Sequence, residues 1–152
     1  MISPSRQAPS FTLAGVRLRK HADYVRAYAA ARKRQSASMS WFLAPQEHAA
    51  APRVGLTAGK VMGKAHDRNR IKRRMREALR RHVDLLPHGF DLIFHPRRAV
   101  LTIEFAKLEA EIVRILEQAR EQASKQAREQ VGLEAQRGAA ARNLSSIAEA
   151  AS

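Results

Sequence analysis

Six histidines (His21, His48, His66, His82, His88 and His95) and 14 Asp and Glu residues are the side chains from which this 152-residue chain could assemble a catalytic or metal site. Their spacing does not build one. There is no His-Glu-x-x-His or other paired-ligand spacing, no nucleophile stands beside a base, and Gly55, Gly59 and Gly63 lack the order of a phosphate-cradling P-loop. The absence of cysteine rules out thiolate ligands and disulfides, and it suits a reducing compartment. His66 and Asp67 are neighbours that could reach a phosphate-bound cation, but an aspartate at a helix start is explained more simply as its N-cap. The chemistry these residue types favour is electrostatic. With 28 Lys and Arg against 14 Asp and Glu, the formal charge is +14 and the pI about 11.4. Nucleic acid is then the first partner class and an anionic membrane surface the second.

The charge is concentrated. Lys60 to His82 carries ten Lys or Arg against Asp67 and Glu77, a local charge of +8, and the same stretch has a helical apolar pattern. Ile71, Met75, Ala78 and Leu79 fall on one side of a helix. Asn69, Arg73, Arg76 and Arg80 fall on the opposite side. Such a helix docks by one face and presents guanidinium groups from the other. A surface shaped only for solubility mixes its signs, whereas crowded like charges repel by a few tenths of a kcal/mol per pair. This imbalance calls for a polyanionic partner.

The elements that must position this helix read as follows. Residues 1–16 form an irregular arm rich in Ser and Pro, with Phe11 and Leu13 as its contacts to the domain. A first helix is predicted over 17–34, with Leu18, Ala22, Val25 and Ala29 as its apolar stripe and Tyr24 and Tyr28 sharing a side. Those rings are either core aromatics or a platform on which bases stack, and composition does not choose between the two. Strands are predicted at 38–44, around Trp41, Phe42 and Leu43, and at 53–58, where Val54, Leu56 and Ala58 alternate with Gly55 and Thr57. The basic helix follows a turn bracketed by Gly59 and Gly63, with Asp67 as N-cap. A further strand spans 90–95, and Thr102 caps a last helix whose stripe is Phe105, Leu108, Ile112, Ile115, Leu116 and Ala119. Residues 117–152 hold five basic and five acidic residues, so the whole +14 lies in 1–116. A frayed helical extension is expected there, giving way to disorder beyond Gly132. No signal peptide or membrane span is read, and a cytoplasmic protein is expected.

From Lys60 to Arg80 the pattern Lys-x-x-Gly-Lys-Ala-x-x-Arg-Asn-Arg-Ile-Lys-Arg-x-x-Arg-Glu-x-x-Arg closely resembles the signature segment of the protein subunit of bacterial ribonuclease P. Its core is Arg68-Asn69-Arg70-Ile71-Lys72-Arg73. The resemblance extends through Leu18-Arg-Lys-x-x-Asp-Tyr24 and Tyr28, and covers about 17–116. It implies an α+β two-layer sandwich: a small, mostly antiparallel sheet with helices on one side, and the basic helix in a βαβ unit. That crossover is left-handed in the family, against the usual right-handed rule. It implies removal of the 5′ leader of precursor tRNA by an RNA subunit with bound Mg²⁺, the protein contributing no catalytic residue and no cofactor of its own. Arg68, Asn69, Arg70, Lys72, Arg73 and Arg76 then contact ribonuclease P RNA and nearby leader phosphates, with Lys64 and Arg80 in the same RNA-binding set. Tyr24, Tyr28 and Phe42, with Lys60, line a cleft for the single-stranded leader, which tips the two tyrosines toward function; for Phe42, core packing is an equal reading. Two departures stand out. Val61 occupies a place where many members carry a second lysine, and Asp67 one that is more often apolar.

Membrane and small-molecule partners do not belong to this reading. The main alternative is a structural, ribosomal-type RNA-binding protein, which explains the charge but not the motif. A protein nuclease lacks a ligand cluster, and a basic-region transcription factor fails because Met75 and Leu79 do not continue as heptads.

Overall fold

The computed structural model describes residues 12–47 and 51–151, with side chains described as far as residue 142. It comprises two compact units, Met1–Arg120 and Glu121–Ser152. In chain order the elements are α1 (His21–Ala30), β1 (Arg32–Gln35), β2 (Met39–Pro45), β3 (Arg53–Leu56), α2 (Ala65–Arg80), β4 (Phe90–Pro96) and α3 (Phe105–Ala151). Short 3₁₀ turns occupy Lys60–Met62, Val83–Leu85 and Arg98–Leu101. The four strands form one sheet in the order β1-β2-β4-β3. β1–β2 and β2–β4 are antiparallel and β3–β4 is parallel, so β3, α2 and β4 make the expected βαβ unit in an α+β domain.

β4 is the strand about which the sheet is packed. Leu92, Ile93 and Phe94 are consecutive and each is 0% exposed, which requires cover on both faces of the sheet. Register separates those faces. Phe42, Ile93 and Gly55 are cross-strand partners on one, while Trp41, Phe94 and Leu56, with Leu43, Leu92 and Val54, share the other. α1 covers the first face, where Leu18, Ala27, Ala44 and Ile93 form a buried cluster flanked by Tyr24, Ala31 and Phe42. The second face is matched by the buried stripes of α2 (Ile71, Met75, Ala78, Leu79) and α3 (Leu108, Ile112, Ile115, Leu116). The helices are therefore shared between the two faces and not gathered on one. Unbroken apolar runs in β2 and β4 are the reason, since each strand has two faces to bury.

Two elements start or stop elsewhere than the sequence predicts. α1 is shorter than 17–34, and its stripe is different: Val25 is 54% exposed, whereas Ala27 is buried and Asp23 and Tyr24 are half-buried. Residues 32–35 turn into β1, all four of whose side chains are exposed. Ala- and Arg-rich sequence favours helix there, but backbone pairing with β2 wins, and a charged edge strand offers no apolar alternation to announce it. α3 begins at Phe105, because Thr102 closes the 3₁₀ turn before it and Glu104 O accepts the first helical amides, from Lys107 and Leu108. Of the predicted stripe, Phe105 stays half-exposed, with the Arg81 guanidinium 5.3 Å from its ring centroid. Beyond Gly132 the second unit is helical to Ala151 where disorder is expected, as its content of Ala, Gln, Glu and Arg allows.

α2 matches its apolar pattern but not its cap. Lys64 holds the N-cap position without a side-chain bond, and Asp67 sits in the first turn, its Oδ2 3.5 Å from Arg98 Nη1. There the carboxylate still favours the positive end of the helix dipole. Gly63 has φ 110°, and a Cβ at this position would collide with the Arg98 guanidinium, which donates to Met62 O at 2.6 Å. Arg74 turns inward to donate to the carbonyls of Val100 and Ile103. The arm joins the domain from Val16, which is buried; Leu18 N donates to Val54 O and Val54 N to Val16 O, covering the outer edge of β3. Leu13 is half-buried, and Phe11 lies outside the described residues.

Replacing Phe94, 0% exposed at the centre of β4, by alanine removes contacts on the face shared with α2 and α3. A loss of about 3–5 kcal/mol is expected in denaturant unfolding.

Candidate nucleic-acid interface

The outer face of α2 carries Asn69, Arg73, Arg76 and Arg80, all exposed, opposite the buried Ile71, Met75, Ala78 and Leu79. With Arg17 these four residues rim a groove of about 610 Å³ whose floor includes Leu13, Val54, Leu56 and Leu79. Glu77 is the one acidic residue among its lining; its carboxylate receives Arg80 at 2.7 Å and Arg81 at 3.4 Å, and these partners hold its pKa below the ordinary value. Arg73 and Arg76 have no acidic partner among the described residues, nor do Arg70 and Lys72. Arg70 is exposed beside Asp67, Leu101 and Thr102, and Lys72 is half-buried. Arg68 sits at the buried margin of the helix, with its Nε enclosed and lacking a hydrogen bond. Lys60 and Lys64 are exposed on the connection between β3 and α2.

The aromatic residues form a second surface on the α1 face of the sheet. Tyr24 and Tyr28 have ring centroids 6.2 Å apart, and Tyr28 meets Phe42 edge-on at 5.1 Å. Tyr24 is anchored. Its hydroxyl donates to Leu18 O at 3.2 Å, and its ring lies over Gly55, where a Cβ would come within 2.8 Å of it. Glycine at that point of β3 is what lets α1 approach the sheet. Tyr28 is more open, at 36% exposure, yet burial still raises its phenol pKa. Val54 and Leu56 alternate with Gly55 and Thr57 along this strand, so the guanidinium groove and the aromatic cleft lie on opposite faces of β3. Of the sequence-predicted residues, Asn69, Arg73, Arg76 and Arg80 thus lie on one side of β3 and Tyr24, Tyr28 and Phe42 on the other, while Lys60, Lys64, Arg68, Arg70 and Lys72 line neither the groove nor the aromatic cluster.

Three features of this cleft are not evident from composition. His95 meets Tyr28 edge-on and Phe42 at a tilt, with ring centroids 5.6 Å and 5.0 Å away, and its Nε2 lies 2.6 Å from the Tyr28 hydroxyl. The second is a partly buried ion network that fixes α1 on the sheet. Arg53 holds Asp91, 2% exposed, through Nε–Oδ1 at 2.8 Å and Nη2–Oδ2 at 2.9 Å, and reaches Asp23 of α1 through Nη1 at 3.1 Å. Its hydrogen bonds to Asp91 raise the Arg53 pKa. The third is Lys33 of β1, the cross-strand partner of Phe42 and so on the same face. The alternation of β4 puts Asp91, Ile93 and His95 on one side. That was the available signal, and only the missing β1 hid Lys33.

The family model described as ribonuclease P matches residues 14–120, a span that contains both surfaces apart from Leu13. The chain belongs to the ribonuclease P protein family. A ribonuclease P protein component from Chloroflexus aggregans is 38% identical over 104 residues, covering 68% of this chain and 76% of the relative. One from Symbiobacterium thermophilum is 31% identical over 103 residues, covering 68% and 90%. The fold is shared with the solved RNase P protein of Thermotoga maritima, with a TM-score of 0.59 and 24% identity over 67% of this chain and 96% of that one. It is shared also with the Staphylococcus aureus RNase P protein, with a TM-score of 0.60 and 23% identity over 69% and 95%. Among the described residues of this family member, no three His, Cys, Asp or Glu side chains come together as a metal site, and no helix is long and apolar enough to cross a membrane.

Two outcomes test the geometry. Arg73→Ala combined with Arg76→Ala changes only exposed side chains, so unfolding free energy is expected to stay within about 1 kcal/mol of the parent while RNA affinity falls. A collapsed melt would show that this helix face is structural. Arg53→Ala leaves the buried Asp91 carboxylate without its charged partner, with the neutral Gln46 Nε2 still donating to Oδ1 at 3.1 Å, and is expected to cost about 3–5 kcal/mol in the same assay.

Proposed function

We propose that this protein acts as the protein component of a ribonuclease P holoenzyme, binding the catalytic RNA through the outer face of α2 and the 5′ leader of precursor tRNA through the aromatic cleft. The observation that carries this reading is the coexistence, in one family member, of a guanidinium face on which Arg73 and Arg76 have no acidic partner among the described residues and a separate partly open aromatic platform. Single-stranded nucleic acid is held by that combination of backbone cations and stacking rings. Asn69, Arg70, Lys72, Arg73, Arg76 and Arg80 are assigned to phosphates of the RNA, with Arg68 joining from the helix margin. Tyr24 orders α1, Tyr28 and Phe42 meet the leader, and Lys60 and Lys64 neutralise phosphate beside β3. Val61 leaves Lys60 without a lysine neighbour there.

The RNA-binding part is taken as residues 17–116, with the arm (1–16) and the tail (117–152) outside it. Hydrolysis belongs to the RNA and its Mg²⁺ in this reading, in the cytoplasm, and the protein supplies no acid, base or metal ligand. Its contribution is differential: leader contacts strengthen binding of precursor over mature tRNA, and phosphate neutralisation lowers the Mg²⁺ needed for assembly.

The test is cleavage of a precursor tRNA at low millimolar Mg²⁺ with bacterial ribonuclease P RNA and this protein, together and separately. Cleavage to the mature 5′ end by the combination alone is expected. RNA binding without activation would favour a structural RNA-binding protein, and cleavage by protein alone a nuclease. Within the active holoenzyme, Tyr28→Ala is expected to lower the preference for precursor over mature tRNA by about 5- to 150-fold, the worth of one stacked base. An unchanged preference would remove Tyr28 from the leader path.

A further inference from the structure

The cleft has a floor that can be written residue by residue. Lys33, Phe42, Ile93 and Gly55 form one row across β1, β2, β4 and β3, and Gln35, Ser40 and His95 form the next, which Thr57 completes just beyond β3. Thr57 N donates to Phe94 O at 3.0 Å, which carries the β3–β4 pairing as far as that residue. α1 covers the Ile93 and Gly55 end of the first row, through Ala27 and Tyr24. The open part is therefore Phe42, His95 and Thr57, while Ser40 is 6% exposed with its hydroxyl accepting from Arg97 Nη1 at 3.3 Å; Lys33 stands at the β1 edge and Lys60 follows β3 at the other. Three strand spacings of about 4.8 Å separate those edges, roughly 14 Å in all. A single strand laid across the sheet meets a cation at either side and rings in the middle.

His95 stands at the centre of that crossing. Its Nε2 is occupied by the Tyr28 hydroxyl at 2.6 Å, and Phe42 packs at its flank. A neutral imidazole has one donor and one acceptor nitrogen and the Tyr28 hydroxyl can serve either, so with Nε2 engaged it is Nδ1, as donor or acceptor according to the tautomer, that remains to meet a ligand. Burial, and then the charge of Lys33, lower the His95 pKa and so favour the neutral ring.

We propose that His95 is a specificity-determining residue of this chain's leader cleft, its Nδ1 hydrogen-bonding the edge of the leader base that crosses β4, with Lys33 on the β1 edge receiving that nucleotide's phosphate. This rests on the leader reading of the cleft given above. The ligand is a single-stranded RNA nucleotide, read through one polar atom and one phosphate charge. Tyr28 and Phe42 supply stacking, which tolerates any base.

The test uses holoenzyme assembled from bacterial ribonuclease P RNA and the full-length protein. It measures affinity for precursor tRNAs in which each leader position in turn carries A, C, G or U, with mature tRNA as reference. The parent is expected to prefer precursor and to show a base preference at one leader position. His95→Phe keeps the ring packing and is expected to abolish that preference with less than about 3-fold loss of mean affinity. Lys33→Gln alters an exposed edge-strand side chain and is expected to weaken all four bases equally, reducing the salt slope for precursor by about 0.7. If the parent prefers precursor but its base profile is flat, or is unchanged in His95→Phe, His95 does not read the leader. An unchanged salt slope in Lys33→Gln overturns the phosphate assignment even where His95→Phe fails to fold. If the parent does not prefer precursor over mature tRNA, it is the leader reading itself that falls.

Discussion

The domain depends on one contest, between the burial of the α2 apolar stripe and the repulsion along its cationic face. Arg68–Lys72, Arg70–Arg74, Lys72–Arg76 and Arg76–Arg80 are four residues apart, and Arg70–Arg73 and Arg73–Arg76 are three apart, so like charges are neighbours throughout the helix. At about 0.3 kcal/mol each, these pairs cost about 2 kcal/mol. Against them, Ile71, Met75 and Leu79 are at most 2% exposed, and each contributes about 1.5–3 kcal/mol on burial. Burial wins by a margin of a few kcal/mol. The helix can hold its charges in a crowded array only because the sheet grips its other side.

β3 carries that arrangement into two surfaces. Its Val54 and Leu56 face the α2 groove, while Gly55 and Thr57 face α1 and the aromatic cleft. Arg53 at its start ties Asp91 of β4 to Asp23 of α1, so the strand that floors one surface also sets the helix that walls the other. The arm contributes from outside through the Arg17–Val54 bridge, which covers the strand's free edge and brings Arg17 to the groove. A short strand with a glycine at its centre thus spaces all the parts that meet RNA in the proposed reading.

What the sequence makes legible follows from periodicity. The α2 stripe, the β4 strand and most of the α3 stripe are read correctly because each repeats at its own period over enough residues to be unambiguous. β1 is not legible, since a strand of Arg32, Lys33, Arg34 and Gln35 has every side chain in solvent and is specified by its pairing with β2 alone. Caps fail for a related reason. Asp67 and Thr102 are good capping types, but the 3₁₀ turns that precede α2 and α3 set where each helix begins, and those turns depend on Gly63, Arg98 and Arg74 contacts between distant segments. Tyr24, Tyr28 and Phe42 are brought together as expected. His95 becomes their neighbour through the β2–β4 register, which pairs it with Ser40 two residues from Phe42.

The cations of α2 are sorted by angle, and the sorting separates structure from binding. Arg74 and Arg81, at the margins of the buried stripe, spend their guanidinium groups on carbonyls, on Glu77 and Glu109, and on the Phe105 ring. Arg73 and Arg76, half a turn away, spend theirs on nothing within the described residues. Four of the like-charge pairs include Arg73 or Arg76, so leaving them unpaired keeps about 1 kcal/mol of repulsion stored in the free protein. A polyanion laid along that face relieves it, and relief of that size corresponds to about 5- to 10-fold in affinity before any specific contact is made. Mixed-sign pairing would have stabilised the isolated helix at the expense of that gain, so the unpaired face makes sense as a helix adapted to its complex rather than to its free state.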